Sequence, residues 1–203
     1  MIADFAKMVE TILNDTMTPE NSDFEKVLLL YNYFGTHYTY DWDAYEDNEQ
    51  GKAYYLSSYR MLTEKTGICQ EVSVAYSYLL MQAGVDATTV GGYNHQWSYI
   101  RLNGHDYHID PTWVMESGGK LATFLMTDAQ RYAEGGYSTD QFRYVSNYSQ
   151  DHPHPAYAAN DETFAVLWPG YYEMLDLDEQ ILTYSAEGAN GEWVMKTFSY
   201  KGY

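Results

Sequence analysis

HQWSYIRLNGHDYHID, residues 95–110, decides how the middle of this chain folds. Two short runs rich in aromatic and β-branched residues flank Asn103-Gly104, a pair that readily takes the positive φ angles of a two-residue type I′ hairpin turn. With that turn, Leu102 pairs with His105, Tyr99 faces His108, and Trp97 faces Asp110. Strand side chains alternate, so His95, Trp97 and Tyr99 share one face, and Asp110 becomes the diagonal neighbour of His95 on it. A carboxylate there can orient an imidazole. A three-residue loop would shift the register by one and turn Asp110 to the opposite face.

Upstream, ATTV (87–90) is a further strand, set off by Gly91-Gly92. Before it, Cys69, Val72, Tyr76, Leu79, Leu80 and Ala83 recur on one helical face, and Gly84 supplies a stop. The Thr66-Gly67 break precedes this helix, so Cys69 falls in its first turn. It is the single cysteine of 203 residues, which excludes an intramolecular disulfide and any Cys-rich zinc site. Two readings stay open from spacing alone. Cys69 is a small core hydrophobe, or it is a nucleophile placed where the positive end of a helix favours thiolate.

Further upstream, the first fourteen residues read as an amphipathic helix, and Ser22 with Glu25 forms a capping box for a second helix ending near Tyr38. The acidic YDWDAYEDNEQGK (40–52) is aperiodic and reads as a loop. It is no EF-hand, because Glu46 and Lys52 stand where glycine and glutamate are needed. A short helical stretch is expected from Tyr54 to Leu62. Helices first and antiparallel strands afterwards make an α+β arrangement.

Downstream, a short helix is expected near Thr127 to Tyr132. A loop follows through QDHPHPAYAAND (150–161), where the prolines favour an exposed turn over a metal site at Asp151, His152 and His154. ILTYSA (181–186) and EWVMKTFSY (192–200) read as a C-terminal hairpin. Residues 1–203 are expected to form one domain, with a core at about 54–113 that residues 114–203 complete. With 29 acidic against 11 basic residues, the net charge of −18 repels nucleic acid and anionic membrane surfaces. No run is long and apolar enough for membrane insertion. The absence of disulfides suits the cytoplasm, while low lysine and abundant tyrosine suit a secreted or cell-surface protein whose signal peptide has been removed. Oligomeric state is not encoded in any pattern found.

GICQEVSVAYSYLLMQAGVDATTVGG (67–92) and NHQWSYIRLNGHDYHIDPTW (94–113) resemble the core of the transglutaminase-like superfamily, with weaker echoes at 22–41 and 124–132. The pattern is Gly-x-Cys at a helix start, His-x-Trp on a strand, and Asp-Pro-Thr-Trp ending the next. The resemblance implies a papain-like α+β fold with Cys69 as nucleophile, His95 as general base and acid, and Asp110 orienting His95. It also decides for His95 over His108, which shares the predicted face of Asp110. Tyr59 is drawn by the same resemblance toward an oxyanion or substrate pocket, and Gln70 is a further candidate for that role. Trp97 and Trp113 read equally as core and as walls shielding a thioester. Nothing resembles the extra β-domains and calcium sites of animal transglutaminases, and no metal or cofactor is expected. The implied function is thiol-dependent acyl transfer on peptide or protein amides, with water as acceptor (a peptidase or amidase). A crosslinking transglutaminase and a catalytically silent binding module are the alternatives.

Overall fold

The computed structural model describes residues 2–144 and 158–203. The Asp151, His152 and His154 cluster therefore lies outside the described residues. The N-terminal part is helical: α1 (Ile2–Thr16), α2 (Asp23–His37), β1 (Thr39–Tyr40), α3 (Trp42–Glu49), α4 (Ser58–Glu64), β2 (Thr66–Gly67) and α5 (Cys69–Gln82). The capping box of α2 forms as expected, with the Ser22 backbone N–H on Glu25 Oε2 at 2.8 Å and the Glu25 N–H on Ser22 Oγ at 3.3 Å.

Two expectations for this half change. Residues 40–52 are not a loop, because Asp41 caps α3 by accepting the Ala44 N–H at 2.9 Å. Only Ala44 is buried on that helix, so its sequence shows no apolar stripe. The stretch expected from Tyr54 begins instead at Ser58, where the Ser57 hydroxyl accepts the Arg60 N–H.

Beyond α5 come β3 (Asp86–Gly91), β4 (Gln96–Leu102), β5 (His105–Ile109), α6 (Pro111–Val114), α7 (Asp128–Gly135) and β6 (Arg143–Tyr144). These strands form an antiparallel sheet in the order β5-β4-β3-β6. Asn103 and Gly104 have φ of 50° and 81°, and Leu102 pairs with His105 and Tyr99 with His108. The two-residue turn therefore sets the register. Proline at the start of α6 ends β5 at once, since it cannot donate to a ladder.

A second antiparallel sheet, β7-β8-β9, is built from β7 (Gly170–Asp176), β8 (Ile181–Glu187) and β9 (Trp193–Ser199). The expected hairpin is its β8-β9 pair. β7 escaped the sequence reading because a bulge between Tyr172 and Met174 breaks its alternation. One buried cluster runs from Val9 and Ile12 through α2, α5 and the first sheet to Tyr184 and Tyr200. No helix among the described residues is long and apolar enough to cross a membrane.

Candidate active site

The start of α5 is held from three directions. β1 and β2 pair in parallel, with Thr39 beside Thr66 and Tyr40 beside Gly67, and the Asp41 N–H donates to the Gly67 carbonyl at 3.2 Å. A methyl group on Gly67 would lie 2.6 Å from Met61 Cγ, so only glycine permits this approach. Glu71, two residues past Cys69, is the third anchor. Its carboxylate accepts the Ile68 N–H at 3.2 Å, the Ser57 N–H at 2.8 Å, and two Arg60 N–H groups at 3.0 and 2.5 Å. Arg60 also reaches Asp41 Oδ2 at 2.8 Å. Ile68 has no side-chain acceptor, so Glu71 supplies only the return half of a capping box.

Small polar residues let α5 settle closely on β4. Gln96 Nε2 donates to Ser73 Oγ at 2.8 Å, and Ser77 Oγ to Ser98 Oγ at 2.9 Å. Ser73 lies one turn after Cys69 on the same face, and His95 immediately precedes Gln96. That pairing brings the cysteine close enough to the histidine for its sulfur to help raise the basicity of the ring.

His95 Nε2 lies 2.6 Å from Asp110 Oδ2, so Nδ1 is the nitrogen left for the thiol. Asp110 is fully buried and accepts the Thr112 N–H at 3.1 Å on Oδ1. Its backbone is fixed by the Thr123 carbonyl and hydroxyl, at 3.0 Å each. Burial disfavours a charged imidazole at His95, but the Asp110 carboxylate and the Cys69 sulfur outweigh it and raise the ring from 6.5 to about 10. Burial likewise opposes ionisation of Asp110, and the charges of His95 and Arg131 overcome it, holding the carboxyl at about 2.

Arg131 is the residue that sequence reasoning missed. It is fully buried on α7, and its Nη1 donates to Asp110 Oδ2 at 2.8 Å. Its guanidinium lies 5.0 Å from the Trp97 ring centroid and 4.9 Å from that of Tyr137, which gives it cation–π partners in place of further hydrogen bonds. The only signal available was its position in the echo at 124–132. Tyr40 was missed as well. Its hydroxyl lies near the Cys69 backbone, and burial raises that hydroxyl above its ordinary range, so it stays protonated at neutral pH.

Cys69 is buried, 7 % exposed, and a cleft of about 270 Å³ opens beside its partners Tyr40 and His95. Trp42, Trp113, Glu116 and Tyr137 form other parts of the wall. Trp113 stands edge-on to His95 at 6.4 Å between centroids. Trp97 is wholly buried beneath the site, and its indole N–H donates to His108 Nδ1 at 2.9 Å. It is floor rather than wall. His108, also fully buried, points its Nε2 at Asp128 Oδ1, 2.8 Å away, which leaves it a packing role. Neither Tyr59 nor Gln70 lines the cleft. Tyr59 turns toward α1, its ring 6.1 Å from that of Phe5, and Gln70 is exposed. Among the described residues no cluster of His, Cys, Asp or Glu could hold a metal ion.

Against known families, the model of the transglutaminase-like superfamily matches residues 10–119. Comparison with curated proteins finds no match. Among solved structures, one described as the crystal structure of a TGase is similar at 26% identity, over 53% of this chain and 30% of that one, with a TM-score of 0.39. The chain thus covers under a third of that protein's length.

Proposed function

The chain belongs to the transglutaminase-like superfamily, and on that premise we propose that it is a thiol-dependent acyl-transfer enzyme acting on peptide or protein amides, with water as the usual acceptor. The observation that carries this reading is His95, bonded through Nε2 to buried Asp110 and turned toward Cys69 at the start of α5.

In the reaction, the proton of the Cys69 thiol rests on Nδ1 of His95, whose imidazolium form is favoured by Asp110, and the sulfur is left free to act as the nucleophile. The sulfur then attacks the amide carbonyl. The developing oxyanion meets the Cys69 backbone N–H and the Tyr40 hydroxyl, which lie near each other. Collapse of the tetrahedral species breaks the C–N bond, and His95 returns its proton to the departing amine. A thioester remains on Cys69. Water, deprotonated by His95, hydrolyses it to the carboxylic acid and restores the thiol. An amine in place of water gives a new amide through the same groups.

Product analysis tests the reading. A mixed peptide library should yield amine and acid fragments with the wild type and none with Cys69→Ala, and excess primary amine should divert only a minor share of the acyl group. Predominant amide formation would make the protein a crosslinking transglutaminase. An unaltered library would favour the silent binding module.

A further inference from the structure

The cleft beside His95 has a one-sided chemistry. Among the described residues no lysine or arginine lines it, and Glu116 is the one carboxylate in its wall. Trp42 and Trp113 leave 59% and 53% of their surfaces exposed, far more than large indoles usually do. They are not loose. The Trp42 ring sits 4.6 Å from Tyr40 and 6.0 Å from Tyr45, and its N–H crosses to α6's C-terminal side, donating to Glu116 Oε1 at 3.1 Å. Glu116 is therefore fixed against an aromatic wall, and its Oε2 makes no hydrogen bond among the described residues.

Aromatic faces and one anchored carboxylate attract the same ligand chemistry. Indole faces draw cations through their quadrupoles, and the carboxylate adds direct pairing. The methylene stem of a lysine or arginine can lie along the rings while its head reaches Glu116. An acidic group would meet Glu116 and the field of a chain at −18. We propose that this cleft is a subsite for a basic side chain of the acyl-donor substrate, held between Trp42 and Trp113 and paired with Glu116, so that the enzyme selects basic peptides or basic protein segments. The proposal deepens the acyl-transfer reading and rests on it for the word donor.

Binding separates the two. Peptides identical except for lysine, norleucine or glutamate beside the scissile amide are titrated calorimetrically into Cys69→Ala protein, which cannot turn them over. The lysine peptide should bind about tenfold more tightly than the norleucine one, and the glutamate peptide most weakly. Adding Glu116→Gln should bring the lysine and norleucine affinities together, and raising the salt concentration should narrow their gap. Equal affinities at the outset, or a lysine preference undiminished by Glu116→Gln, overturns the subsite. The same peptides given to wild-type protein complete the design. Selective binding without turnover keeps the subsite and rejects the enzymatic reading. Acylation of the bound lysine's own amine overturns the donor assignment, because the cleft then serves the acceptor.

Discussion

Asp110 does two jobs at the residue scale, orienting His95 and neutralising two cations in a buried pocket. One carboxylate oxygen takes both His95 and Arg131, and the other takes the Thr112 N–H. His95 is more basic folded, about 10 against 6.5, so its stabilising contribution is full below pH 6.5 and fades as the pH rises toward 10. Asp110 is more acidic folded, about 2 against 3.8, so its contribution is full above pH 3.8 and fades toward pH 2. Asp110→Asn should therefore lower the thermal midpoint most between about pH 4 and 6.5, and the gap to wild type should narrow on either side. A gap independent of pH would mean the pair is not charged as described. On turnover, the same variant should lose on the order of 10³–10⁴-fold in kcat, since the imidazolium loses its partner. Tyr40→Phe removes one donor to the oxyanion and should cost about 10²-fold in kcat with little change in KM. An unchanged kcat would remove Tyr40 from the chemistry.

At the scale of elements, the start of α5 is a junction of three short pieces that are weak alone. Glu71 ties α4 and the α5 N-terminus together, and Arg60 extends the tie to the cap of α3. Glu71→Ala would leave the Ile68 and Ser57 N–H groups and the Arg60 guanidinium without their partner. We expect about 3–5 kcal/mol of destabilisation in urea unfolding. A loss under 1 kcal/mol would show that water replaces the carboxylate. Legibility in the sequence followed the range of the forces. The β4-β5 register could be read because Asn103-Gly104 sets it locally, and α5 could be read because its apolar face repeats. α3 could not, because a capping bond, aromatic contacts and side-chain hydrogen bonds from Trp42 and to Asp47 hold it, without an apolar stripe. Arg131 was hidden for a different reason: its partner Asp110 is twenty-one residues away in sequence and on another element. Tyr59, which the resemblance drew toward the pocket, does not line it, because α4 points that ring at α1.

On the scale of the whole molecule, the two antiparallel sheets support the site from the middle and the C-terminal part of the chain. The first carries His95 and Asp110, while the second is laced to the segment after α6 by Leu121 N–H to Gly170 O and Tyr172 N–H to Gly119 O, both 2.9 Å. That segment in turn fixes the backbone of Asp110 through Thr123. Tyr200, at the far end, donates to Glu25 Oε1 on α2 at 3.0 Å, closing the chain onto its own N-terminal helices. Residues beyond the family match thus contribute Arg131 and the scaffold behind Asp110. The central claim, that this whole arrangement exists to acylate Cys69, is tested most directly by acid-quenching the protein with an activated acyl ester and measuring its intact mass. The account predicts one acyl adduct on Cys69, labile to hydroxylamine, lost in Cys69→Ala and formed far more slowly in His95→Gln. No adduct, or an adduct that forms at the same rate without His95, would contradict it.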